Sequence, residues 1–360
     1  MTRRPFATVL IDTYNHEAFI EEAIQSVLQQ DFPAAEMEIL VVNDGSTDRT
    51  GEIVHTFEPR VRLLTKTNGG QASAFNAGVP EVRGEIVAFL DGDDWWAPGK
   101  LTVVANAFAA NPSVGLVGHG LTLVYSNGRE HTESPRETCR FRIASSEEAK
   151  IFRTRKGFLG TSRMAYRKEI LSKIGPVPIE LMFEADEYLF TLAGLLAEVM
   201  VLREPLTFYR LHDRNLFQLS NGDPQSIRRK QQVLAFLAEF LNRKLKEHNV
   251  PEEIAEIIVE GVQVEADHLH LVLDSGFPWE TVFTELKIQR VFHSDASPWQ
   301  KIYSAARLLP AFFLPPATYY RWRYRLSSIA LYRKLREKFF PFPVPRHVER
   351  REKPPPPATL

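Results

Sequence analysis

Over its first 125 residues the chain alternates short β-rich runs with stretches of helical periodicity, and this alternation limits the fold more than any other feature. ATVLI (7–11) reads as a buried strand, and in EAFIEEAIQSVLQQ (17–30) Phe19, Ile20, Ala23, Ile24, Val27 and Leu28 share one helical stripe. EILVV (38–42), VRLL (61–64) and EIVAFL (85–90) are further strands, with the helical QASAFNAGV before the last. Strands separated by helices imply right-handed crossovers, which predicts an α/β fold with a mainly parallel sheet. Ligands of such sheets sit beyond the carboxyl ends of the strands. Three polar clusters fall there: Asp12-Thr13-Tyr14-Asn15, Asn43-Asp44-Gly45-Ser46 and Asp91-Gly92-Asp93-Asp94. One rim of the sheet is therefore acidic and polar.

The last cluster, in FLDGDDWW, is the most demanding. Two carboxylates roughly 5 Å apart repel by about 3 kcal/mol at an effective dielectric near 20. Turn and cap hydrogen bonds can compensate one of them, and a bound cation two or three together. In an extended segment residues i and i+2 project to the same side, so Asp91 and Asp93 can converge with Gly92 leaving room. Hard oxygen ligands of this kind suit Mg²⁺ or Mn²⁺. Taken alone, the cluster also reads as a solvated acidic turn in which Asp94 caps the next helix, with Pro98 near its start.

Composition narrows the rest. At 360 residues and 44% hydrophobic content the chain can bury a large core. Lys plus Arg is 44 against 45 for Asp plus Glu, a net charge of -1, so no global electrostatic argument favours a nucleic-acid partner. The single cysteine, Cys139, excludes an internal disulfide framework and fits a reducing compartment. MTRRPFATVLID lacks an apolar h-region, so no signal peptide is expected, and the longest apolar stretches are broken by proline, so no spanning helix is expected. Residues 130–160 are polar and poorly patterned. From about 226 the composition turns helical. Two antiparallel helices are expected, with Pro251 at the start of the second.

ATVLIDTYNHEAFIEEAIQSVLQQ, EILVVNDGSTDRT, NGGQASAFNAG, GEIVAFLDGDDWW, FEADEYLFTLA and EPLTFYRLH occur in this order. As an ordered set they resemble the family 2 glycosyltransferases of the GT-A fold, over about residues 6–215. The resemblance implies a Rossmann-like α/β domain at 1–220, followed here by a helical extension at 225–340 and a Pro-rich tail at 341–360. It implies an inverting enzyme that uses a nucleoside diphosphate sugar, UDP-linked by family habit, with Mn²⁺ or Mg²⁺. By position, Tyr14 lies against the base, Thr13 and Asn15 shape that loop, and Asp44 accepts a hydrogen bond from the base. Asp91 and Gly92 face the donor sugar nucleotide, Asp93 holds the metal with Asp91 and Asp94, and His212 can approach metal or diphosphate. Asp186 falls where the family has its general base; by itself it also reads as a helix N-terminal acid.

This chain departs from the family in four places. Asp12 stands where Pro or a small residue is common, Asn43-Asp44 replaces an acid pair, and Phe75 replaces an arginine expected near the nucleotide. Ala185-Asp186 replaces an acid pair, with Glu184 displaced by one. Polysaccharide synthases of the family carry QxxRW; here Arg321-Trp322 lacks the Gln, so transfer of one or a few sugars to a glycan or lipid-linked acceptor is expected. The stretch 319–338 has seven basic residues and one acid with interleaved aromatics. It reads either as a peripheral contact of a cytoplasmic protein at the inner membrane face or as aromatics packed on the protein with solvated arginines. Glu265 and His268, at i, i+3, read as a polar helix face. The rival function is a non-catalytic, sugar-nucleotide-binding scaffold. A nucleotidylyltransferase would need a Gly-rich loop that residues 5–20 lack.

Overall fold

The computed structural model describes residues 6–212, 215, 224–273, 276–292 and 298–327. The chain divides into two compact units, Met1–His212 with Glu239–Ile258, and Asp213–Ala238 with Val259–Leu360. Residues 239–258, around the turn near residue 250, belong to the first unit.

In chain order the first unit contains β1 (Ala7–Thr13), α1 (Ile20–Leu28), β2 (Met37–Asn43), α2 (Thr50–His55), β3 (Arg62–Thr65), α3 (Gln71–Gly78), β4 (Ile86–Asp91) and β5 (Trp95–Trp96). There follow α4 (Lys100–Ala110), β6 (Val114–Tyr125), β7 (Glu130–Glu133), β8 (Cys139–Phe141), α5 (Ser146–Arg155), β9 (Ala165–Arg167), α6 (Lys168–Ile174), α7 (Ala185–Leu196) and β10 (Glu198–Leu211). They build one sheet in the order β3-β2-β1-β4-β9-β6-β10-β5, with β7 added to β6 and β8 to β10. The first four strands are parallel, as the alternation predicts. Beyond them β9 runs antiparallel to both β4 and β6, and β6 and β10 are again parallel, so the second half is mixed. An antiparallel strand needs no helical crossover, and three residues carry no periodic signal, so β9 leaves no trace in the hydrophobic pattern.

The strands bury both faces. Val9 and Ile11 join Ile20, Ile24, Val27, Val104 and Phe108 in the main core, while Leu10 points the other way, against α3. Burial on both sides explains why these strands read as unbroken apolar runs rather than alternating ones. The poorly patterned stretch 130–160 holds β7, β8 and α5. At the start of α5 the Ser145 hydroxyl accepts from the Glu148 N–H at 3.2 Å, and Glu148 Oε2 accepts from the Ala144 N–H at 3.3 Å. Ser145→Ala is expected to cost about 1 kcal/mol, a fall of a few degrees in Tm measurable by thermal denaturation.

The helices that follow are α8 (Pro224–Glu247), α9 (Glu252–Leu273), α10 (Pro278–Phe292), α11 (Pro298–Arg307) and α12 (Pro316–Ser327). Among the described residues no helix is long and apolar enough to cross a membrane. In the second unit Leu271, Val282, Ala311, Tyr319 and Tyr320 form a small core. Glu265 and His268, expected on a polar helix face, turn toward other ionic groups. Lys230 Nζ lies 3.4 Å from Glu265 Oε1, and His268 Nδ1 lies 3.9 Å from Glu285 Oε1. Arg323 donates to the same Glu285. Of the basic segment 319–338, Tyr319, Tyr320 and Arg323 therefore pack inward, while Trp322 is exposed. Residues 328–338 and the Pro-rich tail at 341–360 lie outside the described residues.

Candidate active site

The site is assembled by strand register. β1 lies between β2 and β4, with Thr13 opposite Asn43 and Asp12 opposite Asp91. The chain leaves each strand through a hydrogen bond to β1: the Asp44 N–H donates to the Thr13 carbonyl and the Gly92 N–H to the Asp12 carbonyl, both at 2.9 Å. A Cβ at position 92 would stand 2.6 Å from Thr13 Oγ1 and 2.9 Å from His16 Nδ1, so the polar clusters meet this closely only with glycine there.

The acids of this rim have different environments. Burial, followed by repulsion from Asp93, pushes Asp12 well above the usual carboxylate range. Burial and then repulsion from Asp12, Asp94 and Asp93 does the same to Asp91. Burial opposes the charge of Asp93 as well, but His16 and His212 outweigh it and hold that carboxyl below its ordinary value. His212 Nε2 is 2.9 Å from Asp93 Oδ2 and His16 Nε2 is 3.9 Å from the same oxygen. His212 also stacks on Phe19, with ring centroids 4.7 Å apart. Asp94 turns away into the fold, where Oδ1 accepts from the Arg210 N–H at 2.9 Å. Burial and the Asp93 charge raise it to about 8. Asp94 thus anchors β10, whereas Asp93 sits between two imidazoles.

The cluster after β2 orders loops. Asp44 accepts from Lys66 Nζ at 2.6 Å and from the Gly69 and Gly70 N–H groups at 3.1 and 2.7 Å, so its carboxylate holds the loop 66–70. Gly70 has a φ of 81°, open to glycine at little cost. Asn15 Oδ1 accepts from the Thr47 N–H at 2.8 Å, which ties the loop after β1 to the loop after β2. Tyr14 stands exposed beside it. Phe75, where the family has an arginine, is buried edge-on against Phe89 at 4.9 Å and does not reach this rim.

Asp186 lies in the first turn of α7. Its carboxylate accepts from the Thr161 N–H at 3.2 Å and from the Glu187 N–H at 2.8 Å. Loss of solvent raises it above the usual carboxylate range despite these donors. Gln71 Nε2 donates to Thr161 Oγ1 at 3.0 Å and approaches Asp91 Oδ1 at 3.4 Å, so one side chain links the acidic rim to the residue that holds Asp186. The Ser162 hydroxyl faces Asp91 from the other side, 3.0 Å from the Asp91 nitrogen and 3.2 Å from Asp91 Oδ2. Buried Lys100 fixes that turn by donating to the Ser162 carbonyl at 2.6 Å and to Thr207 Oγ1 at 3.2 Å.

All the residues expected at the site except the inward Asp94 line or border this rim. His16, Lys66, Gln71, Thr161 and Ser162 were not expected. His16 and Gln71 sit inside the quoted motifs, where a polar residue next to a strand end was the available signal; Thr161-Ser162 lies in a segment with no pattern. The chemistry of the donors fits a divalent cation. Asp12 Oδ1 is buried with no hydrogen-bond partner, and Asp12 and Asp91 are burdened by mutual repulsion that a cation would relieve. Among the described residues no three such side chains already stand as a preformed metal cage.

Residues 8–175 match the family model for glycosyl transferase family 2. The match takes in just under half of the chain, which over this part is similar to the members of that family. A similar curated relative is an uncharacterized glycosyltransferase, alr2836, of Nostoc sp., 33% identical over 215 residues, 58% of this chain. The chain covers 65% of that relative's length and 64% of the next, the uncharacterized glycosyltransferase EpsJ of Bacillus subtilis. Among solved structures, S. aureus TarS in complex with UDP-GlcNAc is similar in fold, with a TM-score of 0.53 and 22% identity over 88% of this chain and 91% of that one. The mannosyltransferase PcManGT of Pyrobaculum calidifontis, in complex with GDP-Man and Mn²⁺, has a TM-score of 0.51 and 21% identity, covering 93% and 84%. The mixed sheet is thus of the GT-A kind.

Proposed function

We propose that the chain is a metal-dependent, inverting, non-processive glycosyltransferase that moves a sugar from a nucleoside diphosphate donor, UDP-linked, to a hydroxyl of a glycan or lipid-linked acceptor. It works in the cytoplasm, with peripheral contact at the inner membrane face. The observation that carries this reading is the link Asp91–Gln71–Thr161–Asp186, which makes the acidic rim and the candidate base one hydrogen-bonded group. Asp186 takes the proton of the acceptor hydroxyl as that oxygen attacks the anomeric carbon, and a single displacement inverts the configuration. Its raised affinity for protons, a result of limited solvent, suits a base working near neutral pH. Asp93 and Asp91 are the residues that would hold Mn²⁺ or Mg²⁺, with His212 at their edge and Asp94 supporting from behind. The ion, when bound, neutralises charge on the departing diphosphate. Tyr14 lies against the base, Thr13 and Asn15 shape its loop, Gly92 leaves space beside the ribose, and Asp44 keeps the loop 66–70 in place. The complexes of TarS with UDP-GlcNAc and of PcManGT with GDP-Man and Mn²⁺ support a nucleotide-sugar donor.

A panel of nucleoside diphosphate sugars, assayed with and without Mn²⁺ for hydrolysis and for thermal stabilisation, tests the proposal. One donor is expected to raise Tm only with the metal present; a flat response to every donor favours the scaffold reading. Gln71→Leu removes the bridging amide and is expected to lower kcat by about 10- to 100-fold with Tm nearly unchanged, as read from steady-state kinetics beside a melting curve.

A further inference from the structure

The second unit presents an apolar surface that its fold leaves uncovered. On α10, Trp279, Phe283 and Leu286 follow one another at helical spacing and are all exposed, while Val282, flanking them, fills the small core. The 3-10 turn at Leu309–Phe312 packs against α10 through Ala311 and exposes Leu309, Phe312 and Phe313. Phe313 is 83% exposed, at the tip of a turn held between Pro310 and Pro315. Folding normally hides such side chains, and six exposed large apolar residues on two neighbouring elements mark an interaction surface.

The charge around it selects the partner. The exposed residues of α10 are apolar or basic: Lys287 stands beside the stripe, Arg290 at its end pairs with Glu260 of α9, Glu285 is buried and Glu280 accepts from the Phe277 N–H. Lys301 is exposed on α11. Aromatic tips backed by cations match the boundary of an anionic bilayer, where rings enter the acyl region and ammonium and guanidinium groups meet lipid phosphates. A second copy would bring two surfaces of the same positive sign together, which disfavours self-association.

We propose that the surface formed by Trp279, Phe283, Leu286, Leu309, Phe312 and Phe313 docks on anionic lipid headgroups without spanning the bilayer. This rests on the peripheral-contact part of the reading above and moves that contact away from the segment 319–338, of which Tyr319, Tyr320 and Arg323 pack inward. The test is co-sedimentation of the full chain with vesicles of mixed phosphatidylglycerol and phosphatidylcholine, against phosphatidylcholine alone. The wild-type chain is expected to partition onto the anionic vesicles only. The double variant Phe312→Ser, Phe313→Ser should lose about 100-fold in partitioning, and Lys287→Glu with Lys301→Glu about tenfold or more. Both variants should keep donor hydrolysis and Tm, since none of these side chains lies in a core. The proposal is overturned if the wild-type chain ignores anionic vesicles, if the aromatic variant binds as well as wild type, or if light scattering shows a dimer that the aromatic variant dissolves. Partitioning abolished only by neutralising Arg333, Lys334 and Arg336 would return the contact to the basic segment and sink this surface. A chain that binds vesicles but hydrolyses no donor would reject the transferase reading and leave the surface standing.

Discussion

Asp186→Asn is expected to reduce the transfer rate by about three orders of magnitude while leaving donor affinity within about twofold. The amide has nearly the shape of the carboxylate but cannot accept a proton. It also has a single acceptor oxygen, whereas the carboxylate serves the Thr161 N–H and the Glu187 N–H with separate oxygens. One of these donors loses its partner, so Tm should fall as well, by the equivalent of about 1–3 kcal/mol. Donor titration by calorimetry separates the two effects. Turnover within tenfold of wild type, together with the lowered Tm, would show that Asp186 is no more than an acid at the start of α7.

Asp93→Ala is expected to abolish both Mn²⁺-dependent donor hydrolysis, by about 10³-fold or more, and the metal-dependent part of donor-induced stabilisation. Asp93 is the rim acid that stays most readily ionised, because His16 and His212 face it, and its removal leaves those two imidazoles without their shared anion. Asp94→Asn is the informative contrast. Its carbonyl can still accept from the Arg210 N–H, so metal-dependent hydrolysis should change by less than about tenfold. The reverse pattern, with Asp94→Asn silent to metal and Asp93→Ala nearly normal, would exchange the two assignments.

The parallel half of the sheet was legible because burial on both faces writes continuous apolar runs, and crossover helices write a 3.6-residue stripe such as Ile20, Ala23, Ile24 and Val27. The clusters containing Asp12, Asp44 and Asp91 were legible for a related reason, since a polar residue directly after a buried run marks a strand's end. Two kinds of feature were not. β9 is too short for periodicity and pairs in the opposite direction, and with it came Thr161 and Ser162. The division of labour within DGDD also escaped. Alternation suggested that Asp91 and Asp93 converge, and they do interact, but the inward turn of Asp94 toward Arg210 depends on β10, more than a hundred residues away.

What the sequence determined is therefore local: which segments are strands, where they stop, and that acids follow them, because propensity and burial act over a few neighbouring residues. Only the tertiary structure decided which acid is held charged by His16 and His212, which is turned into the fold, and that Gln71 joins the rim to Asp186. Those outcomes depend on strand register and on contacts between distant residues, and electrostatic energies change with ångström differences in separation and burial that no spacing along the chain encodes.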